Sequence, residues 1–197
     1  MPETWRDPII FLFSAPSGTG KGTVVSSLLQ EVDAVSRIVT VTSRPKREGE
    51  VEGQSYYFIT EDEFRRLIRD DVFVEWNQIY GDLYGTKKEV VGRFIAEATT
   101  KHHDLLLEID VDGKRNFTRQ YPNCVSLFLL PPSVKELERR MRGRKADTSE
   151  QMAKRILRAE MELARKDEYD YRVVNDSREA AVEEIKAIIA KERAKRR

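Results

Sequence analysis

The chain has 197 residues, a length that suits one compact domain. Hydrophobic residues make up 40% and charged residues 35%, which excludes a disordered or fibrous chain. The formal net charge is only +1, so any attraction to a polyanion has to come from local clusters of basic residues.

Short apolar runs alternate with amphipathic stretches along most of the chain. In chain order they predict a strand at Ile9–Phe13, a helix at Lys21–Glu31, strands at Leu105–Ile109 and Val125–Leu130, helices at Val134–Gly143 and Ser149–Lys166, a strand at Tyr171–Val174 and a helix at Arg178–Ala194. This alternation is typical of a parallel sheet covered by helices on both faces. The sequence therefore predicts an α/β fold.

A glycine-rich stretch, APSGTGKGT, joins the first predicted strand to the first predicted helix. In this setting backbone N–H groups and the helix N-terminus can bind a phosphate group, and Lys21 adds a mobile positive charge. The usual phosphate-binding loop begins with glycine and ends with Gly-Lys-Ser/Thr; Ala15 and Gly22 depart from that pattern. The alternative is a glycine-rich turn without a ligand. The order of strand, loop and helix favours phosphate binding.

The segment 36–99 breaks the alternation. It is rich in Thr, Tyr, Arg and Gly and contains the stretches SYYFIT and VFVEWNQIYGDLYG. Aromatic and β-branched residues in such runs favour strands. The sequence predicts a small inserted subdomain with strands of its own.

The cysteine content and the two ends of the chain indicate a compartment. Cys124 is the only cysteine, which rules out an internal disulfide and favours a reducing environment. The first residues contain no signal-type apolar segment, and no apolar run reaches membrane-spanning length. The basic tail KERAKRR is typical of a solvated helix end. We expect a cytoplasmic protein that binds neither membrane nor nucleic acid.

Several stretches together resemble the guanylate kinase family. They are TVTSRPKREGEVEGQSYYF, VEWNQIYGDLYGT, LLLEIDVDG, LLPPS, RRMRGRKADTSEQMAKR and VVND, with their spacing preserved from Ile9 to about Ile189. The resemblance implies a P-loop kinase that transfers the γ-phosphoryl group of ATP to GMP with Mg²⁺. It also implies one domain, 1–197, with a core (1–35, 100–134 and 169–197), a GMP-binding insertion (36–99) and a helical lid (135–168).

The resemblance also implies which residues form the site. The expected catalytic residues are Lys21, Arg47, Arg144 and Arg155. The expected ATP-binding residues are Ala15, Pro16, Ser17, Gly18, Thr19, Gly20, Lys21, Gly22, Thr23, Arg140 and Asn175. The expected GMP-binding residues are Thr40, Arg44, Arg47, Tyr56, Glu75, Tyr84, Thr86 and Asp110. No residue is assigned as a direct metal ligand.

The residue types in this set suit their implied roles. Arginines bind phosphate oxygens in pairs, and lid arginines place positive charge where the transition state becomes more negative. A carboxylate at Glu75 can accept from the two adjacent N–H donors of guanine, and the hydroxyl of Thr86 can face its carbonyl. Asp110 either supports the guanine amino group or organises magnesium-bound water.

Other positions depart from the family pattern. Pro45 stands one residue earlier than the family's proline, Glu108 replaces an aspartate, Asp112 a glutamine and Lys145 a glycine. Two other functions stay open: a scaffold module that binds phosphorylated peptides in the same cleft, and a P-loop kinase with another acceptor. Oligomeric state is also left open.

Overall fold

The computed structural model describes residues 7–142 and 149–196. Its larger sheet has five parallel strands in the order β2-β7-β1-β8-β9. These strands are β1 (Ile10–Ser14), β2 (Val35–Arg37), β7 (Asp104–Glu108), β8 (Val125–Leu130) and β9 (Tyr171–Val174). The four predicted strands are confirmed to within a residue at each end, and β2 is an addition.

Helices cover both faces of this sheet because alternate residues of β1 point to opposite sides. Phe11 and Phe13 pack on one face with residues of α1 (Lys21–Glu31) and α7 (Arg178–Lys195). Ile10 and Leu12 pack on the other face with residues of α3 (Lys88–Lys101) and α4 (Val111–Gln120). The predicted α/β class with a parallel core sheet is confirmed.

A second sheet has four strands in the order β4-β3-β6-β5. They are β3 (Val41–Thr42), β4 (Tyr57–Phe58), β5 (Phe73–Ile79) and β6 (Asp82–Lys87), accompanied by α2 (Glu61–Arg69). Val41, Phe64, Phe73 and Leu83 form the small core between this sheet and α2. The tight turn between β5 and β6 places Tyr80 at the tip, with φ of 53°.

Two further helices follow β8. They are α5 (Val134–Arg142) and α6 (Ser149–Leu163), and a single turn of 3-10 helix at Lys166–Glu168 follows α6. Leu137 and Met141 of α5 pack against Met152 and Ala159 of α6. Helix α6 ends at Leu163, three residues before the end of the predicted helix Ser149–Lys166. Among the described residues, no helix has the length and apolar character needed to cross a bilayer.

Candidate active site

The phosphate-binding loop leaves β1 at Ser14 and enters α1 at Lys21. Gly18 and Gly20 have φ of 88° and 90°, a backbone conformation that residues with a Cβ rarely adopt. Space also requires glycine, since a Cβ on Gly18 would lie 2.9 Å from Met141 Cγ and one on Gly20 would lie 2.9 Å from Asn175 Nδ2. The loop thus brings the N-terminus of an 11-residue helix to the edge of the sheet, where its N–H groups can bind an anion.

Lys21 lies beside a carboxylate of the central sheet. Its Nζ is 3.8 Å from Glu108 Oε2, at the end of the neighbouring strand β7. The other oxygen of Glu108 is 2.8 Å from Arg37 Nη2, at the end of β2. Two cations therefore flank one carboxylate at the carboxyl edge of the sheet.

Arg44 is held by an acid. Its Nη1 and Nη2 donate to Glu50 Oε2 and Oε1 at 2.9 and 2.7 Å, and its guanidinium lies 5.5 Å from the ring centre of Tyr56. Hydrogen bonding to Glu50 raises the pKa of Arg44, and hydrogen bonding to Arg44 lowers the pKa of Glu50. Glu50 Oε2 also accepts from the backbone N–H of Arg47, whose side chain is exposed. Glu50 thus organises both arginines of the loop.

Two tyrosines border Arg44. The rings of Tyr56 and Tyr84 meet edge to face with centres 6.0 Å apart, and burial raises the pKa of Tyr56 to about 12. Tyr56 is consequently a neutral hydroxyl donor at ordinary pH. Two arginines and two phenols close together can bind a phosphate group.

A carboxylate and a hydroxyl form a buried pair in the second sheet. Glu75 of β5 and Thr86 of β6 are cross-strand partners, and a bulge between Phe73 and Glu75 shifts the local register. The Thr86 hydroxyl donates to Glu75 Oε1 at 2.5 Å. Glu75 is only 7% exposed, and burial raises the pKa of its carboxyl to about 7.

Asp110 connects three parts of the molecule. Its Oδ1 accepts from the backbone N–H groups of Asp112 and Gly113, so it caps α4. Its Oδ2 accepts from Asn77 Nδ2 of β5 at 2.9 Å and lies 3.8 Å from Arg158 Nη2 of α6. Capping uses one oxygen, and the other lies between β5 and α6.

The helices after β8 reach back to the phosphate-binding loop. Arg155 Nη2 donates to Ser17 Oγ at 2.9 Å. Arg140 Nη1 lies 3.5 Å from the carbonyl oxygen of Asn175, and Asn175 Nδ2 donates to the carbonyl oxygen of Thr19 at 2.6 Å. These contacts place two arginines from α5 and α6 beside the loop.

A sequence profile of the family described as "Guanylate kinase" matches residues 6–192. The chain belongs to the guanylate kinase family. Guanylate kinase of Synechococcus sp. (strain JA-3-3Ab) is 43% identical over 188 residues, covering 95% of this chain and 84% of that protein. Guanylate kinase of Syntrophomonas wolfei is 40% identical over 190 residues, covering 96% and 95%. The crystal structure of guanylate kinase from Anaplasma phagocytophilum aligns with a TM-score of 0.75 at 29% identity, covering 94% of this chain and 86% of that one.

The predicted site residues that the structure describes differ in exposure and in hydrogen bonding. Thr19 is fully buried and Thr23 is exposed on α1, whereas Thr40 is half-buried and its carbonyl oxygen accepts from the N–H of Tyr57. Asn175 supports the backbone of the loop, so its contact with ATP stays a prediction. Arg144 and Lys145 lie outside the described residues.

Sequence reasoning missed several residues that the structure places at the site. They are Arg37, Glu50, Asn77, Tyr80, Gly113 and Arg158. For Glu50 the signal was present, because an acid in the same short loop is a natural partner for paired arginines. The others are brought in by pairings between segments distant in sequence.

Proposed function

We propose that this guanylate kinase transfers the γ-phosphoryl group of ATP to GMP, giving ADP and GDP, and that the residues above perform it. An oxygen of the GMP phosphate attacks the γ-phosphorus, the bond to the bridging oxygen breaks, and ADP leaves with those electrons. The observation that carries the proposal is the buried Glu75–Thr86 pair. A buried carboxylate matches the two adjacent N–H donors of guanine.

ATP binds at the loop. Backbone N–H groups of Ala15–Thr23, except Pro16, which has none, surround its phosphates, and Lys21 contacts the β- and γ-phosphates. Arg140 binds ATP beside Asn175, and Arg155 comes from α6 to the transferred group. Arg144 is assigned the same transition-state role on sequence grounds alone. Phosphoryl transfer depends on positioning and on positive charge around the migrating group, which these cations supply.

GMP binds on the second sheet. Arg44, Arg47, Tyr56 and Tyr84 bind its phosphate. Glu75 and Thr86 read the base, for which the Thr86 hydroxyl has to turn from Glu75 to the guanine carbonyl. The hydrogen bonds to Glu50 fix the orientation of the Arg44 guanidinium. The GMP phosphate has to bind to N–H donors of Arg44 that Glu50 does not occupy. The remaining GMP-binding residues, Thr40 and Asp110, are assigned to the border of the same pocket.

The three segments inferred from the sequence then have separate tasks. The core (1–35, 100–134 and 169–197) binds ATP, the insertion (36–99) binds GMP, and the lid (135–168) covers the phosphates. Strand β2 crosses the first boundary, because Ser36 and Arg37 pair with β7 of the core sheet. We place the reaction in the cytoplasm.

Mg²⁺ fits this site as the partner of ATP. Carboxylate oxygens of Glu108 and Asp110 lie at the carboxyl end of β7, and hard oxygen donors are what Mg²⁺ prefers. Position 22 is a glycine and offers no hydroxyl ligand, so these carboxylates would hold the water around the ion. When bound, the ion neutralises phosphate charge.

The test is a panel of acceptors with ATP, followed by coupled detection of ADP. GMP should exceed AMP in kcat/KM by about four orders of magnitude, because adenine would face Glu75 with a lone pair. IMP, which lacks the amino group, should fall between them, and dGMP, CMP and UMP complete the panel. Glu75→Gln should cost about 1.5–3 kcal/mol with GMP and narrow the GMP-to-IMP ratio. Equal use of AMP and GMP would refute the assignment, and absence of ADP release would favour a binding module.

A further inference from the structure

Arg37 is the last residue of β2, an edge strand of the core sheet. It lies at the carboxyl ends of the core strands, where the phosphate-binding loop also begins. β2, β7 and β1 are neighbours in the parallel sheet, so their carboxyl ends lie side by side. These ends carry Arg37, then Glu108, then the loop that leads to Lys21. The topology thus sets a carboxylate between two cations.

The two cations divide the carboxylate of Glu108 between them. Arg37 Nη2 is 2.8 Å from Oε1, and Lys21 Nζ is 3.8 Å from Oε2. The side chain of Glu108 is 12% exposed and those of Arg37 and Lys21 are each 27% exposed. Water screens such charges less than it screens charges on the open surface. The shorter contact makes Arg37 the principal partner of Glu108.

Arg37 also reaches toward the second sheet. Its Nη2 lies 3.4 Å from the carbonyl oxygen of Ser55, the residue before Tyr56. Its Nε is buried and has no hydrogen-bond partner among the described residues. Arg37 therefore links Glu108 of the core sheet to the segment that carries Tyr56.

We propose that Arg37 is a positioning residue that keeps Glu108 from capturing Lys21. This inference rests on the proposed function, which assigns Lys21 to the ATP phosphates. With Arg37 present, Glu108 has a permanent cationic partner, and the Lys21 ammonium is free to move to the phosphates. Without Arg37, both carboxylate oxygens turn to Lys21, and ATP has to break that ion pair before it gains the lysine.

The length of the Glu108 side chain brings its carboxylate close to Lys21. Position 108 is a glutamate, whose side chain is one methylene longer than that of an aspartate. The longer side chain extends the carboxylate beyond the strand end, where it contacts the first residue of α1. A second cation at the end of β2 balances an acid that would otherwise neutralise the one lysine of the loop.

The test compares Arg37→Gln, Arg37→Lys, Glu108→Gln and the double variant Arg37→Gln/Glu108→Gln. Affinity for a non-hydrolysable ATP analogue is measured by calorimetry, together with the KM values for ATP and GMP. Arg37→Gln should weaken analogue binding about tenfold, the scale of one charged hydrogen bond. Arg37→Lys should recover most of that loss. In the Glu108→Gln background, Arg37→Gln should change affinity by less than about twofold.

Arg65→Gln is the matched control, since Arg65 forms an exposed pair with Glu61 on α2, and it should leave analogue binding unchanged. Thermal unfolding verifies folding, and Arg37→Met replaces Arg37→Gln if the glutamine variant is unstable. An Arg37→Gln affinity equal to that of Arg65→Gln overturns the proposal, as does an equal loss in both Glu108 backgrounds. Lys21→Ala, measured alongside, separates the two failures: unchanged analogue binding there refutes the assignment of Lys21 to ATP itself.

Discussion

At the scale of single residues, Glu75 combines a buried position with a proposed role that needs a charge. Burial raises the pKa of its carboxyl from 4.5 to about 7. The folded chain therefore binds this proton more tightly than the unfolded chain does. The contribution of Glu75 to stability is fully present below about pH 4.5 and is lost as pH rises through about 7.

GMP binding has the opposite dependence, because only the carboxylate can accept from both guanine donors. The KM for GMP should fall about tenfold between about pH 6 and about pH 8, while the KM for ATP changes little. The phosphate of GMP also titrates near about pH 6, and Glu75→Gln isolates that contribution. A KM for GMP with the same pH profile in the wild type and in Glu75→Gln would show that Glu75 binds in one protonation state throughout.

Gly113 sets the position of that carboxylate. A Cβ on Gly113 would lie 2.5 Å from Glu75 Oε2 and 2.8 Å from Ile109 Cγ1, distances at which one group has to move. Gly113→Ala should raise the KM for GMP by about tenfold or more, because the alanine Cβ would displace the Glu75 carboxylate from the N–H donors of guanine. Binding of the ATP analogue should not change.

Gly92→Ala is the control for the Gly113 experiment. Gly92 also lies within a helix, α3, but apart from its chain neighbours and the backbone of that helix no described atom lies within 4 Å of its Cβ position. Alanine there should stabilise the helix by up to about 1 kcal/mol and leave the kinetics unchanged. If Gly113→Ala left the KM for GMP unchanged, as Gly92→Ala should, the Glu75 carboxylate would tolerate a Cβ at position 113, and Gly113 would not set its position.

At the scale of helices and strands, the sequence predicted those elements whose burial produces a repeating apolar pattern along the chain. β1 (IFLFS) and β8 (VSLFLL) are apolar except for one serine each, because helices cover both of their faces. β2 reads Val-Ser-Arg, all half-buried, and carries no such signal. Helix α4, with glycine, aspartate and asparagine in its ten residues, was equally invisible. Its start depends on capping by Asp110.

The site divides in the same way. Lys21 and the loop glycines are recognisable because one local turn needs all of them at fixed spacing. Arg37 and Glu108 meet only because β2 and β7 pair, and Gly113 faces Glu75 only because α4 packs beside β5. A single sequence does not contain those pairings.

The turn between β5 and β6 contacts α6 through Tyr80. The guanidinium groups of Arg155 and Arg158 lie 5.9 and 5.8 Å from the centre of its ring. Tyr80 thus joins the second sheet to the helix that carries Arg155. Tyr80→Leu should lower kcat about three- to tenfold with a smaller change in the KM for GMP, because an aromatic–cation contact of about 0.5–2 kcal/mol is lost.

Tyr80→Phe keeps the aromatic face and should retain most of the activity, which separates the ring from the hydroxyl. Both variants keep a side chain at the positive φ of position 80, so backbone strain is matched. A kcat for Tyr80→Leu equal to that of Tyr80→Phe would exclude a contribution of this contact to turnover.

At the scale of the whole molecule, an ion pair with a buried carboxylate holds together the amino-terminal ends of the core strands, opposite the phosphate-binding loop. Asp104, only 1% exposed, accepts from the backbone N–H of Ile9 at 2.8 Å and from Arg193 Nε at 2.7 Å. Arg193 Nη2 also donates to the carbonyl oxygens of Asp33 and Ala34. One arginine of α7 thus ties together the starts of β1, β2 and β7.

Arg193→Met should lower the free energy of unfolding by about 3 kcal/mol, because it removes a cation from the buried carboxylate of Asp104. Arg178→Met, on the same helix, removes an exposed pair with Glu179 and should change stability by less than about 0.5 kcal/mol. Denaturant unfolding measures both, and steady-state assays well below the unfolding midpoint measure activity. Since this pair lies at the edge of the sheet opposite Lys21, kcat and both KM values of Arg193→Met should equal those of the wild type. A loss of turnover in Arg193→Met without a loss of stability would contradict this expectation, because it would mean that the amino-terminal ends of the core strands are coupled to the candidate site at their carboxyl ends.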